Sequence, residues 1–237
     1  METDPATTID ALDWPAIEHG LRGIGYAACG PVLAPATCRT LAALYDDDRR
    51  FRSTVDMARY RFGEGQYRYF ARPLPDPVAQ LRQALYRRLA PIANRMAADM
   101  GLEVRYPRSL KAYLRECHAA GQERPTPLLL RYDAGGYNCL HQDLYGDLRF
   151  PLQAVIQLSR PGDDFAGGEF LLVEQRPRAQ SIGHALNPRQ GEMIVFPVAE
   201  RPVRGARGFY RTKMRHGVSQ VRAGTRMTLG LILHDAA

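Results

Sequence analysis

The sequence has no run approaching the ~20 apolar residues that a membrane-spanning helix requires. Its start, Met-Glu-Thr-Asp-Pro, has neither the basic nor the apolar region of a signal peptide, so a soluble cytoplasmic protein is expected. Cysteine is scarce, and Cys29, Cys38, Cys117 and Cys139 form no Cys-x-x-Cys pair. Reduced thiols are therefore expected rather than disulfides, and a structural zinc site has no support. Internal repeats and low-complexity segments are missing. Lysine is nearly so: Lys111 and Lys213 stand alone, and the net charge of +7 rests on arginine. Arginine forks suit phosphates and carboxylates, which admits a polyanionic partner. A base composition favouring arginine codons explains the same excess.

What is present suffices for a self-supporting core, since a chain of this length buries roughly 70 to 75% of its unfolded surface. Residues 1–9 are polar and expected to fray. Leu12, Ile17 and Leu21 predict a short helix over 11–21, with Asp13 as cap and Pro15 in the first turn. Residues 24–33 read as extended, and Pro35 opens a second helix striped by Cys38, Leu41, Leu44 and Tyr45. Aromatic and basic residues crowd 51–70, where Gly63-Glu-Gly65 between two aromatic runs reads as a hairpin turn. From Asp76 the positions Val78, Leu81, Leu85, Leu89, Ile92, Met96 and Met100 keep helical spacing, with a kink or break near Arg88 expected from Pro91. Such an amphipathic helix must cover a sheet. Residues 109–119 form a further helical candidate.

After Pro127 the pattern changes to short β-rich runs between Gly, Pro and Asp turns: 128–132, 148–158, 168–173, 181–187, 192–196, 209–213, 217–221 and 226–234. Strands so spaced indicate a sandwich or jelly roll. The expected fold class is α+β, a cupin-like double-stranded β-helix with an N-terminal helical part packed on its sheet. The expected division is 1–104, helical and hairpin, and 105–237, the β-helix.

Within the β half lies Tyr132-Asp-Ala-Gly-Gly-Tyr-Asn-Cys-Leu-His-Gln-Asp-Leu-Tyr-Gly-Asp147. On extended backbone His141 and Asp143 project from one face. With a distal histidine they would complete a two-His, one-carboxylate facial triad, which leaves coordination positions open on Fe(II). His118 precedes the pair on a helix, leaving His184, His216 and His234. The choice falls on His216 because Arg226 follows ten residues later and opens the last strand. An arginine turned into a β-barrel core is costly unless an anion pairs with it. A dicarboxylate such as 2-oxoglutarate fits, its oxo-acid end on the metal and its far carboxylate on Arg226. Thr228, at i+2, and Tyr132 could donate to the same carboxylate. Each element alone has a commoner, purely structural role; the inference rests on the combination.

Residues 125–235 resemble the iron(II) and 2-oxoglutarate dependent dioxygenases of the prolyl-hydroxylase-like group, with Gly167-Gly168-Glu169-Phe170 and Gly191-Glu-Met-Ile-Val-Phe196 as turn-plus-strand motifs. More narrowly, Arg124-Pro-Thr-Pro-Leu-Leu-Leu-Arg-Tyr132, Tyr137-Asn-Cys-Leu-His-Gln-Asp-Leu-Tyr-Gly-Asp147, Glu174-Gln-Arg-Pro-Arg178 and Arg215-His-Gly-Val-Ser219 resemble a bacterial oxygenase family labelled as acting on damaged nucleic acid. That likeness extends upstream through Phe62-Gly-Glu-Gly-Gln-Tyr-Arg-Tyr-Phe70. The resemblance implies iron on His141, Asp143 and His216, and 2-oxoglutarate on Arg226. It implies oxidation of 2-oxoglutarate by O2 to succinate and CO2, coupled to hydroxylation of a substrate C–H bond.

Two basic stretches could track single-stranded or damaged nucleic acid: 60–72, and 201–215 with Arg201, Arg204, Arg207, Arg211, Lys213 and Arg215. The second runs into His216 and is expected to rim the site. Hydroxylation of a protein side chain or small metabolite is the alternative, as is a non-catalytic metal-binding cupin. The roles of Tyr137, Asn138, Tyr145 and Asp147 stay open, as does the oligomeric state.

Overall fold

The computed structural model describes residues 4–237. The helices are α1 (Pro5–Asp10), α2 (Trp14–Gly23), α3 (Pro35–Ala43), α4 (Asp76–Asp99) and α5 (Leu110–Ala119). The strands are β1 (Ala27–Pro31), β2 (Phe51–Asp56), β3 (Gly63–Glu64), β4 (Gln66–Phe70), β5 (Leu128–Asp133), β6 (Tyr137–His141) and β7 (Leu152–Gln157). They continue with β8 (Phe165–Gly167), β9 (Phe170–Gln175), β10 (Ile182–Leu186), β11 (Glu192–Pro197), β12 (Glu200–Gly205), β13 (Gly208–Val218) and β14 (Val221–Leu231).

Among the described residues these strands build two antiparallel sheets. The major sheet runs β1-β11-β7-β14-β5-β4-β2, with β8 also on β14; the minor sheet runs β10-β9-β13-β6-β3, with β12 also on β13. Strand β7 is buried at every position, as a strand covered on both faces must be. Its Leu152, Ala154 and Ile156 join α4 in the main core, and Val155 joins Phe170, Leu172, Phe196 and Met214 between the sheets. β1 to β4, from the first 104 residues, are stitched into both sheets.

Helix α4 buries the expected stripe from Val78 to Met96. It runs unbroken through Pro91, contrary to the expected break. Pro91 and Arg87, whose carbonyl loses its helical donor, both lie on the exposed side, where water can satisfy the freed group. The N-terminus also differs from expectation. Asp4 caps α1 and Ile9 is fully buried, so the polar stretch docks instead of fraying from residue 4 onward; residues 1–3 lie outside the described residues. Gly63-Glu64-Gly65 is not a tight hairpin turn. β2 and β4 pair across a longer connection, and Gly63–Glu64 crosses to the minor sheet to pair with β6. A side chain at Gly63 would sit 2.3 Å from the Tyr137 carbonyl, which is why glycine stands there. The strands expected at 209–213 and 217–221 are largely one strand, β13, which ends at Val218 and alternates inward and outward from Thr212 to His216, and β12 pairs beside it. No helix among the described residues is long and apolar enough to cross a membrane.

Candidate metal and co-substrate site

Pairing of β6 with β13 sets His141 directly opposite His216, with ring centroids 4.2 Å apart. The register slips just beyond His216, where a Cβ on Gly217 would lie 2.6 Å from the Asn138 carbonyl. Asp143, two residues past the end of β6, turns back between the rings: its Oδ1 is 3.5 Å from His141 Nε2 and its Oδ2 is 3.2 Å from His216 Nε2. The potential ligand atoms of the three residues lie within 4.8 Å of one another. His141 Nδ1 donates to the Cys139 carbonyl at 2.7 Å, which fixes the ring and leaves Nε2 free as a ligand.

Two neutral donors hold the carboxylate from outside. Tyr145 OH donates to Asp143 Oδ1 at 2.9 Å, and Gln153 Nε2 donates to Oδ2 at 2.9 Å. A carboxylate neighbour requires the amide nitrogen on that side, so Gln153 Oε1 faces away and is buried without a partner. Burial opposes the Asp143 charge, but the two histidines outweigh it and hold the carboxyl well below its usual range. Burial lowers the His216 pKa despite Asp143. A neutral imidazole and an ionised carboxylate are the states that bind a metal.

The same cavity, with about 600 Å³ of empty space, is lined by Arg226, Thr228 and Tyr132. Arg226 on β14 lies opposite Tyr132 on β5 and is only 1% exposed. It makes no hydrogen bond or ion pair among the described residues; its guanidinium carbon sits 5.7 Å from the Tyr132 ring centroid, and its Nε is a buried orphan. Burial pulls its pKa down to about 10. Gly168, at φ +64°, makes room for it: a Cβ there would meet Arg226 Cδ at 2.8 Å. Asn138 Nδ2 donates to Tyr132 OH at 3.2 Å. The donor set and the unpaired cation thus fit a metal and a small anion in one chamber.

All six residues singled out from the sequence come together here. Of the four left open, Asn138 and Tyr145 line the cavity, whereas Tyr137 and Asp147 are exposed outside it. The other candidate histidines are elsewhere: His118 binds Asp235 at 2.9 Å, His184 packs its ring edge-on to Tyr26, and His234 is a fully buried acceptor for the Phe150 N–H. The expected basic rim at 201–215 does not form. Arg201 is fully buried in an ion pair with Glu174, and Arg211 binds the Met100 carbonyl. The β12–β13 turn is eight residues from His216, ~26 Å along a strand, and Lys213 and Arg215 are exposed while Met214 and His216 point inward. Gln153 went unread, although a glutamine inside Leu-Gln-Ala-Val-Ile is a polar residue that must find a buried partner.

Residues 65–236 match the Oxygenase-NA family, described as "Oxygenase, catalysing oxidative methylation of damaged DNA". The chain belongs to this family. It is similar to the uncharacterised protein Rv2227 of Mycobacterium tuberculosis, 54% identical over 168 residues that cover 71% of this chain and 72% of that one. Among solved structures it is similar to a Pseudomonas putida prolyl-4-hydroxylase, with TM-score 0.56, 18% identity and coverage of 92% and 96% of the two chains. A Burkholderia pseudomallei oxidoreductase of the 2OG-Fe(II) oxygenase family gives TM-score 0.55, 17% identity and coverage of 94% and 92%. The fold of this oxygenase is therefore the jelly roll of those enzymes, with a small helical N-terminal part on the sheets.

Proposed function

We propose that this oxygenase depends on Fe(II) held by His141, Asp143 and His216, and on 2-oxoglutarate whose far carboxylate pairs with Arg226, assisted by Tyr132 and Thr228. The observation that carries the reading is Arg226, a buried guanidinium with no ion pair or side-chain hydrogen bond among the described residues, in the same chamber as three convergent metal donors. Bound iron would supply O2 activation: one oxygen atom enters succinate as 2-oxoglutarate loses CO2, and the other enters a substrate C–H bond. The chain fixes the donors on one side, holds the Asp143 carboxylate by Tyr145 and Gln153, and orients the co-substrate by its two ends.

For the substrate we favour N-methylated nucleic acid; the family description names damaged DNA. Tyr67 and Tyr145 line the cavity, and Tyr69 packs edge-on against both, which offers aromatic faces to an extruded base. Oxygen insertion into an N-methyl C–H bond gives an N-hydroxymethyl group that leaves as formaldehyde, so the balanced outcome is loss of the methyl group.

The test is to mix protein anaerobically with Fe(II) and 2-oxoglutarate, record the visible charge-transfer band, then admit O2 and measure succinate. The band and succinate are expected, and their absence overturns the oxygenase chemistry. Formaldehyde released from a methylated single-stranded oligonucleotide supports the substrate class. Stimulation of succinate release by peptides or amino acids instead overturns it.

A further inference from the structure

A second basic feature lies away from the catalytic chamber. Between α4 and α5 runs an open groove with about 930 Å³ of empty space, lined by Arg72, Arg87, Arg108, Lys111, Arg115 and His118 together with Gln83, Ser109, Leu110 and Leu114. No carboxylate lines it, in a chain with 25 acidic residues. Arg72 and His118 share the buried Asp235, and Arg87 is paired with Asp10. Arg108, Lys111 and Arg115 are exposed and have no ion pair or side-chain hydrogen bond among the described residues. Exposed cations usually draw a carboxylate partner on a protein of mixed charge; three unpaired ones facing one concavity concentrate positive potential there.

The groove connects to the chamber along a basic edge. Tyr69 packs on Tyr145 and carries the Arg52 guanidinium 4.5 Å above its own ring. Arg52 Nε donates to the Pro125 carbonyl, beside exposed Arg124. Arg72, on the groove wall, is three residues after Tyr69, at most ~11 Å of chain. A strand with one nucleotide in the chamber could pass Arg52 and Arg124 on its way to Arg72 and the groove.

We infer that the α4–α5 groove is a phosphodiester-binding site that holds the flank of the nucleic acid while one base occupies the chamber. This rests on the nucleic-acid reading of the substrate. It assigns the backbone contacts to α5 and the residues just before it, whereas the sequence pointed to residues 60–72, of which Arg72 lines the groove, and to 201–215. The contacts would be of the positioning kind and independent of base identity.

The experiment measures binding of a fluorescein-labelled 20-nucleotide single strand by anisotropy from 50 to 300 mM NaCl. It compares the native chain, Arg108→Ala/Lys111→Ala/Arg115→Ala, and Arg204→Ala/Arg207→Ala/Lys213→Ala. All six side chains are exposed, so neither variant disturbs the core. Three lost phosphate contacts should reduce the slope of log K against log salt by about 2 and weaken binding more than tenfold near 0.1 M salt. The hairpin variant should bind like the native chain. Loss on the hairpin variant alone, equal small losses on both, or no binding by the native chain overturns the groove. Succinate formed without oligonucleotide is read in parallel. If it persists while binding is absent, the groove fails and the oxygenase chemistry stands; if it is absent while groove-dependent binding is seen, the chemistry fails and the groove stands.

Discussion

Three arginines of this oxygenase are almost completely enclosed, and two of them, Arg201 and Arg226, are built to opposite plans. Arg201 on β12 donates to Glu174 at 2.6 Å and to the carbonyls of Arg22 and Gly23, so it ties β9 to the end of α2. Arg226 on β14 has no such hydrogen-bonded partner among the described residues: an aromatic ring lies at 5.7 Å, and the Glu169 carboxylate acts on it only through space, with no ion pair. Each is admitted by a glycine of left-handed φ, Gly25 against Arg201 and Gly168 against Arg226, so the backbone yields space in both cases. The difference lies in where the counter-charge comes from. A structural buried cation brings its acceptors in the same chain; one that serves a ligand leaves its hydrogen-bonding capacity to be met from outside.

The largest effect that can break this contrast is on stability. Replacing Arg201 with Met leaves Glu174 buried with only the half-exposed Arg176 as partner, and should cost about 3 to 5 kcal/mol in urea unfolding. The same replacement at Arg226 removes an unpaired buried charge and should leave stability equal or higher. Comparable losses in the two variants would show that Arg226 is also a structural strut.

The two buried histidines sharpen the contrast through pH. His216 faces a carboxylate and the chamber, whereas His234 sits behind the major sheet, where burial and nearby Arg82 push its pKa down to about 4. The folded value lies below the unfolded one of about 6.5, so the unfolded chain binds more protons between them. The stabilisation is therefore complete above pH 6.5 and is lost as pH falls from there to about 4, amounting to about 3 kcal/mol. His234→Asn offers an oxygen acceptor in place of Nδ1 and should flatten that dependence when unfolding is compared at pH 7 and 4.5. Native and variant stabilities that fall in parallel would assign the acid sensitivity elsewhere.

These contrasts also show what could be read in advance. The proposed metal residues were legible as a cluster, because His141 lies close to Asp143 in the chain and Arg226 in a core strand demands an anion, but the i, i+2 strand rule does not hold: β6 ends at His141 and a turn of the chain brings Asp143 back to the rings. Arg201 was misread as surface charge, since nothing local to it reveals that Glu174, 27 residues earlier, lies across the sheet within reach. Docking of α1 depended on Ile9 meeting a distant core, and Gly63 on a crossing between sheets. Both are long-range facts that local propensity does not contain.

At the co-substrate the comparison predicts a binding effect. Arg226→Met should raise the 2-oxoglutarate concentration needed for half-maximal succinate formation about 10- to 150-fold, the worth of a charge-assisted bond of about 1.5 to 3 kcal/mol. Arg201→Met, assayed at a temperature where it remains folded, should leave that concentration unchanged. A shift of equal size in both variants would mean that the chamber responds to general loosening.

The smallest effect concerns the neutral donors on Asp143. Tyr145→Phe keeps the ring that packs at 6.4 Å on Tyr69 and deletes the hydroxyl that donates to Oδ1 at 2.9 Å and also meets the Tyr69 hydroxyl, while Gln153 continues to hold Oδ2. A carboxylate with one outer donor removed can rotate towards a metal and occupy a position that the co-substrate needs. Outer partners of metal ligands are worth about 10- to 100-fold in metal affinity, and with the second donor intact the lower figure applies. Fe(II) affinity, followed by anaerobic titration, should therefore fall about tenfold in Tyr145→Phe and further in the double variant with Gln153→Leu. Because Tyr145 is neutral and its ring stays in place, unfolding stability should barely move. A loss of stability matching the loss of metal affinity would place Tyr145 with Arg201, among the residues that hold the fold and affect the site only through it.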